Sequence, residues 1–213
     1  MRLTLISLVS ALFLSVSNWA FADHQPLAAT TEHLTRLQSG GYVLYIRHGK
    51  TDSSIPDQVP VHLEDCSTQR PLTAAGLEQM QGLGQALKTL NIPLHPVLSS
   101  PFCRALDSTR AAFPEQDFQV EELLMYTAGL SSQEKSVIVQ RTRELISQPQ
   151  PPGSNRVLVA HAPNLAEIMD YFPPEGALII FKPLGEKGFE YIASIYPGSW
   201  ARLLSTLELS HAD

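Results

Sequence analysis

Two buried-type strands, the continuous apolar run Tyr42–Ile46 and the segment Arg156–Ala160, restrict the fold more than any other feature of this chain. Neither shows the apolar/polar alternation of a half-exposed strand. Continuous runs of this kind are strands covered on both faces, so helices must lie above and below the sheet they build. The intervening segments supply such helices. Thr73 is placed to cap a helix in which Leu77, Met80, Leu83, Leu87 and Leu90 form one stripe. Gly82 and Gly84 fall inside that helix and form no nucleotide-binding loop, since no strand precedes them. Pro96–Leu98 reads as a short strand. Ser100 and Pro101 then read as the cap and first residue of a helix, with Arg104 in its first turn. Phe118–Val120 is a further short strand, and Ser131 with Glu134 forms a capping box for a helix to about Ile146. A helix over Pro163–Tyr171, closing strands at Ala177–Phe181 and Phe189–Ile195, and a helical tail from Trp200 complete the pattern. The expected fold class is α/β, a three-layer α/β/α sandwich with a mostly parallel central sheet.

Composition narrows the functional classes. Hydrophobic residues are 44% and charged residues 17% of the chain, which suits a packed domain and excludes a disordered one. The net charge is -6, and no basic block interleaved with aromatics occurs, so nucleic acid is not an expected partner. Residues 1–22 read as a signal peptide: Met1 and Arg2, an uncharged run from Leu3 to Val16, then Ala20-Phe21-Ala22 before Asp23. Residues 23–213 would form the single remaining domain, periplasmic or secreted, with no stable membrane anchor. Cys66 and Cys103 are the only two cysteines. An oxidising compartment favours a disulfide between them, two unpaired thiols being the alternative.

In a parallel sheet ligands collect beyond the carboxyl ends of the strands. Arg47 and His48 end the first strand, Arg104 follows the second, and His161 ends a later one. Guanidinium groups hold phosphate through paired hydrogen bonds. A neutral imidazole can attack phosphorus, and a protonated one can donate to a phosphoryl oxygen. A metal held by His48, His161 and Asp52 is the competing reading, disfavoured by the adjacent arginines, which would repel a dication. A serine nucleophile at Ser99 or Ser100 lacks the Gly-x-Ser-x-Gly elbow.

Three motifs carry a family likeness. Ile46-Arg47-His48-Gly49 with Thr51, then Leu98–Ala105 around Arg104, then Val157–Asn164 around His161 resemble, in order, the signatures of the histidine phosphatase superfamily. Cys66–Thr73 is similar to a segment of its exported members, and the resemblance runs from about Tyr42 to Trp200. It implies a phosphoglycerate mutase-like fold and a phosphohistidine intermediate on His48. Arg47, Arg104 and His161 would bind the phosphoryl oxygens, with Arg70 as a further contact or a surface residue. Thr51 would donate to phosphate or stabilise its own turn, and Gly49 would allow a tight turn beside the nucleophile. No metal or organic cofactor is implied. The chain lacks the His-Asp dipeptide of the acid phosphatase branch, since Ala162 follows His161. Glu122 is the candidate general acid by position and Asp52 the second, each with a solvated surface carboxylate as its plain alternative.

The expected activity is hydrolysis of a phosphate monoester, the partner being a small phosphorylated substrate or a phosphorylated envelope component. A phosphohistidine phosphatase and a catalytically silent phosphate-binding protein are the alternatives. The whole expectation requires His48 to lie beside Arg104 and His161 and to be open to solvent.

Overall fold

The computed structural model describes residues 26–210. The expected signal peptide at 1–22 lies outside them.

Strands β1 (Val43–Arg47), β2 (Leu94–Ser99), β3 (Gln119–Val120), β4 (Asn155–Ala160), β5 (Leu178–Pro183) and β6 (Phe189–Ile195) form one sheet in the order β3-β2-β4-β1-β5-β6. The pairs β1–β4, β2–β4 and β2–β3 are parallel, while β5 runs antiparallel to both β1 and β6. The sheet is thus parallel across its functional half and closed by a hairpin at the other edge. Helices α1 (Thr31–Gln38), α2 (Ala74–Thr89), α3 (Cys103–Ala112), α4 (Ser132–Ser147), α5 (Ala162–Met169) and α6 (Trp200–Ser210) cover it. Among the described residues, no helix is long and apolar enough to cross a membrane.

Successive side chains of a strand point to opposite faces. Leu44 and Ile46 of β1 therefore join α1, α2, α3 and α6 in one core, and Val43 and Tyr45 join α4 and α5 in the other. That two-sided burial is the reason β1 and β4 carry no polar alternation. The α2 stripe is rotated from the expected one. Met80, Leu83 and Leu87 are buried, but Leu77 is 39% exposed. The residue four before Met80 is Gly76, and a β-carbon there would meet the Lys50 carbonyl oxygen at 2.1 Å. The helix approaches the end of β1 so closely that glycine must occupy that face, and Leu77 turns away. Gly84 plays the same part against α3, where a β-carbon would stand 1.9 Å from the Ala112 carbonyl oxygen.

The capping box of α4 and the Thr73 cap of α2 are as expected. The start of α3 is not. It begins at Cys103, past Ser100 and Pro101, because the Ser100 hydroxyl is drawn to His161 (2.7 Å). Cys66 and Cys103 form a disulfide. Gln69 reinforces it, accepting from the Cys103 amide at 2.8 Å while its own amide group donates to the carbonyls of His62 and Leu63. The long loop before α2 is thereby strapped to the first turn of α3, the turn that carries Arg104.

Candidate active site

Arg47 of β1 pairs with Ala160 of β4, so the next residue of each strand, His48 and His161, emerges side by side. Their rings lie 5.3 Å apart in an edge-to-face arrangement. Gly49 permits this. A β-carbon there would come within 2.6 Å of the Gly76 carbonyl oxygen, so the need is close approach to α2 rather than an unusual turn.

One imidazole proton is fixed by its partner. His48 Nδ1 is 2.9 Å from the Gly49 carbonyl, which can only accept, so Nδ1 carries the hydrogen and Nε2 keeps its lone pair. The Ser100 hydroxyl accepts from the Phe102 amide at 3.3 Å and pairs with His161 Nε2 at 2.7 Å. His161 Nδ1 is buried with no protein partner. Below them the Tyr45 hydroxyl donates to the His161 carbonyl (2.8 Å) and accepts from the His161 amide (3.2 Å). Burial holds the Tyr45 phenol well above its ordinary pKa, so this pin stays protonated.

Arginines surround the pair. Arg104 is fully buried, and its guanidinium carbon lies 4.6 Å from the Phe102 ring centre and 5.1 Å from that of Tyr126. Arg47 donates to the Pro173 carbonyl (2.7 Å), stacks on Phe172 (5.1 Å) and lies 3.6 Å from Glu175. The fields of Arg104, Arg47 and Arg70 all reach His48 and His161. Arg104 Nε and Nη2, Arg47 Nε and Arg70 Nε are buried without a protein partner. An overall acidic chain thus concentrates three guanidinium groups in one enclosure.

Burial, and then the Arg104 charge, hold both imidazoles well below the usual histidine pKa. Both are neutral in the folded protein near neutral pH, whereas the unfolded chain takes up protons near pH 6.5. The folded values being depressed, the unfolded state binds more protons as pH falls, and stability falls with it. Stability should be level above about pH 7 and drop below pH 6.5 by about 1.4 kcal/mol per pH unit for each ring. Urea denaturation at pH 7.5 and 5.5 checks this. Equal stabilities at the two values would contradict it.

Other expected residues stand differently. The Thr51 hydroxyl donates to Glu175 (2.6 Å), as does the Thr51 amide (3.3 Å), so Thr51 is engaged with a carboxylate in its own neighbourhood. Asp52 turns back on Ser54, whose hydroxyl and amide hold its carboxyl below the usual range. Glu122 is exposed on a short 3-10 turn, and its side chain makes no hydrogen bond or ion pair with the cluster. Among the described residues, no three His, Cys, Asp or Glu side chains have the grouping of a metal site.

The expectation of an open site needs correction. His48 is 1% exposed, and the loop after β1 reaches the arginines whose charge acts on it. Its Asp57 accepts from Arg104 Nη1 (2.8 Å) and from the Arg70 amide (2.8 Å). Sequence reasoning missed Asp57, Glu175, Tyr45 and Tyr126. Glu175 had one available signal. It precedes a strand that runs antiparallel to β1, so its turn must cross the carboxyl end of β1, and the Gly176 amide does donate to the Arg47 and His48 carbonyls.

Residues 43–125 match the family described as the histidine phosphatase superfamily (branch 1). That span contains Arg47, His48, Arg70 and Arg104, and His161 lies beyond it. A search of curated proteins returns no match. Solved structures do match. The protein histidine phosphatase SixA complexed with tungstate has a TM-score of 0.52 at 16% identity, covering 74% of this chain and 98% of its own. A putative alpha-ribazole-5'-P phosphatase from Escherichia coli str. K-12 substr. MG1655 has 0.54 at 19% identity, covering 73% and 97%. A phosphoserine phosphatase from Entamoeba histolytica, in complex with 3-phosphoglyceric acid, has 0.53 at 14% identity, covering 73% and 96%. At these identities the likeness is one of fold. Over the segment bearing Arg47, His48 and Arg104 the chain matches the histidine phosphatase superfamily, and its fold is the phosphoglycerate mutase-like one of these structures.

Proposed function

We propose that the protein is a phosphatase that hydrolyses phosphate monoesters through a phosphohistidine on His48. The observation that carries this reading is the His48 ring itself. Its proton is committed to the Gly49 carbonyl, its Nε2 is unprotonated, and burial, helped by the arginines that would hold an anion beside it, keeps it so. A nucleophile needs a free lone pair at working pH, and this environment supplies one without a separate base. Arg104 Nε and Nη2, Arg47 Nε, Arg70 Nε and His161 Nδ1 are the donors for the phosphoryl oxygens. They would neutralise the charge that redistributes as the ester bond breaks. The tetrahedral tungstate in the SixA structure is an oxyanion of the kind such donors suit. No metal or organic cofactor has a part in these steps.

His48 is 1% exposed, so an ester reaches its ring only when part of the surrounding chain gives way. Export to the periplasm or beyond belongs to the same proposal. It is supported by the disulfide, which persists in oxidising compartments. The test is direct. The purified, disulfide-bonded protein should hydrolyse p-nitrophenyl phosphate, with tungstate as a competitive inhibitor. Tight tungstate binding without turnover of any phosphate ester would make it a binding protein instead.

A further inference from the structure

We propose that Asp57, on the loop after β1, is the catalytic acid that protonates the leaving oxygen; this rests on the phosphatase reading above. Both hydrogen bonds that Asp57 receives, from Arg104 Nη1 and from the Arg70 amide, end on the same oxygen, Oδ1. Oδ2 takes no part in them. Arg104 meanwhile keeps Nε and Nη2 without a protein partner. A guanidinium grips a phosphoryl group through two parallel donors on one edge. A substrate held on that edge would lie beside Asp57, with both anions on one cation.

Direction separates Asp57 from the other carboxylates. Displacement at phosphorus is in line, so the leaving oxygen departs on the side away from the attacking nitrogen. His48 forms the floor, at 1% exposure, and the body of any ester must point out towards solvent. The Asp57 side chain is 22% exposed while the Arg104 it pairs with is buried, so Asp57 is the solvent-side member of that pair. Glu175 is tied down by the Thr51 hydroxyl and amide and faces Arg47, which suits it to orienting that arginine. Asp52 is turned onto Ser54, and Glu122 makes no side-chain contact with the cluster.

The charged and titratable groups around this corner are Arg104 of α3, Arg70 of the loop, Arg47, His48 and His161 at the strand ends, and Tyr126. A phosphoryl dianion arriving among them sets two anions on Arg104, and one proton on Oδ2 relieves the repulsion. The steps then balance. His48 Nε2 forms a bond to phosphorus as the bond from phosphorus to the ester oxygen breaks. The leaving oxygen keeps that electron pair and takes the Oδ2 proton. Water then attacks the phosphohistidine, giving its proton to Asp57, and the P–N electron pair returns to Nε2.

The experiment compares kcat/KM for an activated aryl ester, p-nitrophenyl phosphate, with that for an alkyl ester, β-glycerophosphate, in wild type and Asp57→Asn. The asparagine oxygen can still accept from Arg104 and the Arg70 amide, so the loop keeps its anchor. The alkyl ester should lose about 10²- to 10³-fold, and the aryl ester, whose oxygen departs without help, less than about tenfold. A structural role would lower both by the same factor. An equal loss on both esters, no loss on the alkyl ester, or wild-type turnover of the aryl ester alone would each overturn the assignment. Should the Asn variant fail to fold, the same ratio in Asp57→Ala decides. Wild-type protein inactive on both esters would overturn the phosphatase reading and this inference with it.

Discussion

His48→Ala should lower kcat/KM on p-nitrophenyl phosphate by about 10³-fold or more, because it removes the atom that bonds to phosphorus. The loss should fall on turnover and not on anion binding. Arg47, Arg70, Arg104 and His161 remain, and their unpartnered donors are what would hold an oxyanion. Tungstate affinity, measured by calorimetry, should therefore survive in the variant. Alanine leaves a gap beside His161 and removes the bond to the Gly49 carbonyl, so circular dichroism and a melting curve belong in the same experiment. A folded His48→Ala protein with near wild-type turnover would refute the nucleophile assignment. A variant that loses turnover and tungstate binding together would make His48 a ligand for the anion rather than its attacker.

The second large effect is on stability. Cys66 and Cys103 are 37 residues apart in sequence, and closing a loop of that length stabilises a fold by about 4 kcal/mol in the chain-entropy account. Whole domains have only about 5–15 kcal/mol. Cys66→Ser with Cys103→Ser should accordingly lower Tm by about 8–16 °C in a domain of this size. The change should also reach the chemistry. The bridge and Gln69 together strap the loop to the first turn of α3, and that loop delivers Arg70 and Asp57 to Arg104. Activity below the melting transition should therefore fall too, and the same fall should appear in wild-type protein treated with a reductant. An unchanged Tm in the double variant would contradict this account of the bridge.

What the sequence discloses follows from how each residue is constrained. Strands β1 and β4 are legible because burial on two faces keeps Val43–Ile46 and Val157–Ala160 free of polar alternation, and His48 and His161 are legible because they follow the ends of those runs. Their closeness follows from topology, since parallel neighbours in register end together. Arg104 is legible through its place after β2, even though α3 starts later than the Ser-Pro signal indicates. Asp57 is of another kind. It lies in a stretch without periodicity, and its meeting with Arg104 across 47 residues depends on a loop path set by the disulfide, Gln69 and the Arg70 amide. Tyr45 looks like one more apolar strand residue until its hydroxyl is seen to pin the His161 backbone. The burial of His48 is likewise a property of the folded chain, and no spacing along the sequence encodes it.

The most direct test of the account is to catch the covalent intermediate. Protein mixed with excess p-nitrophenyl phosphate, denatured rapidly in alkali and digested, should yield an acid-labile phosphoryl group on the peptide containing His48, absent from His48→Ala. Continued turnover with no phosphorylated peptide, or with the phosphoryl group on His161, would contradict it.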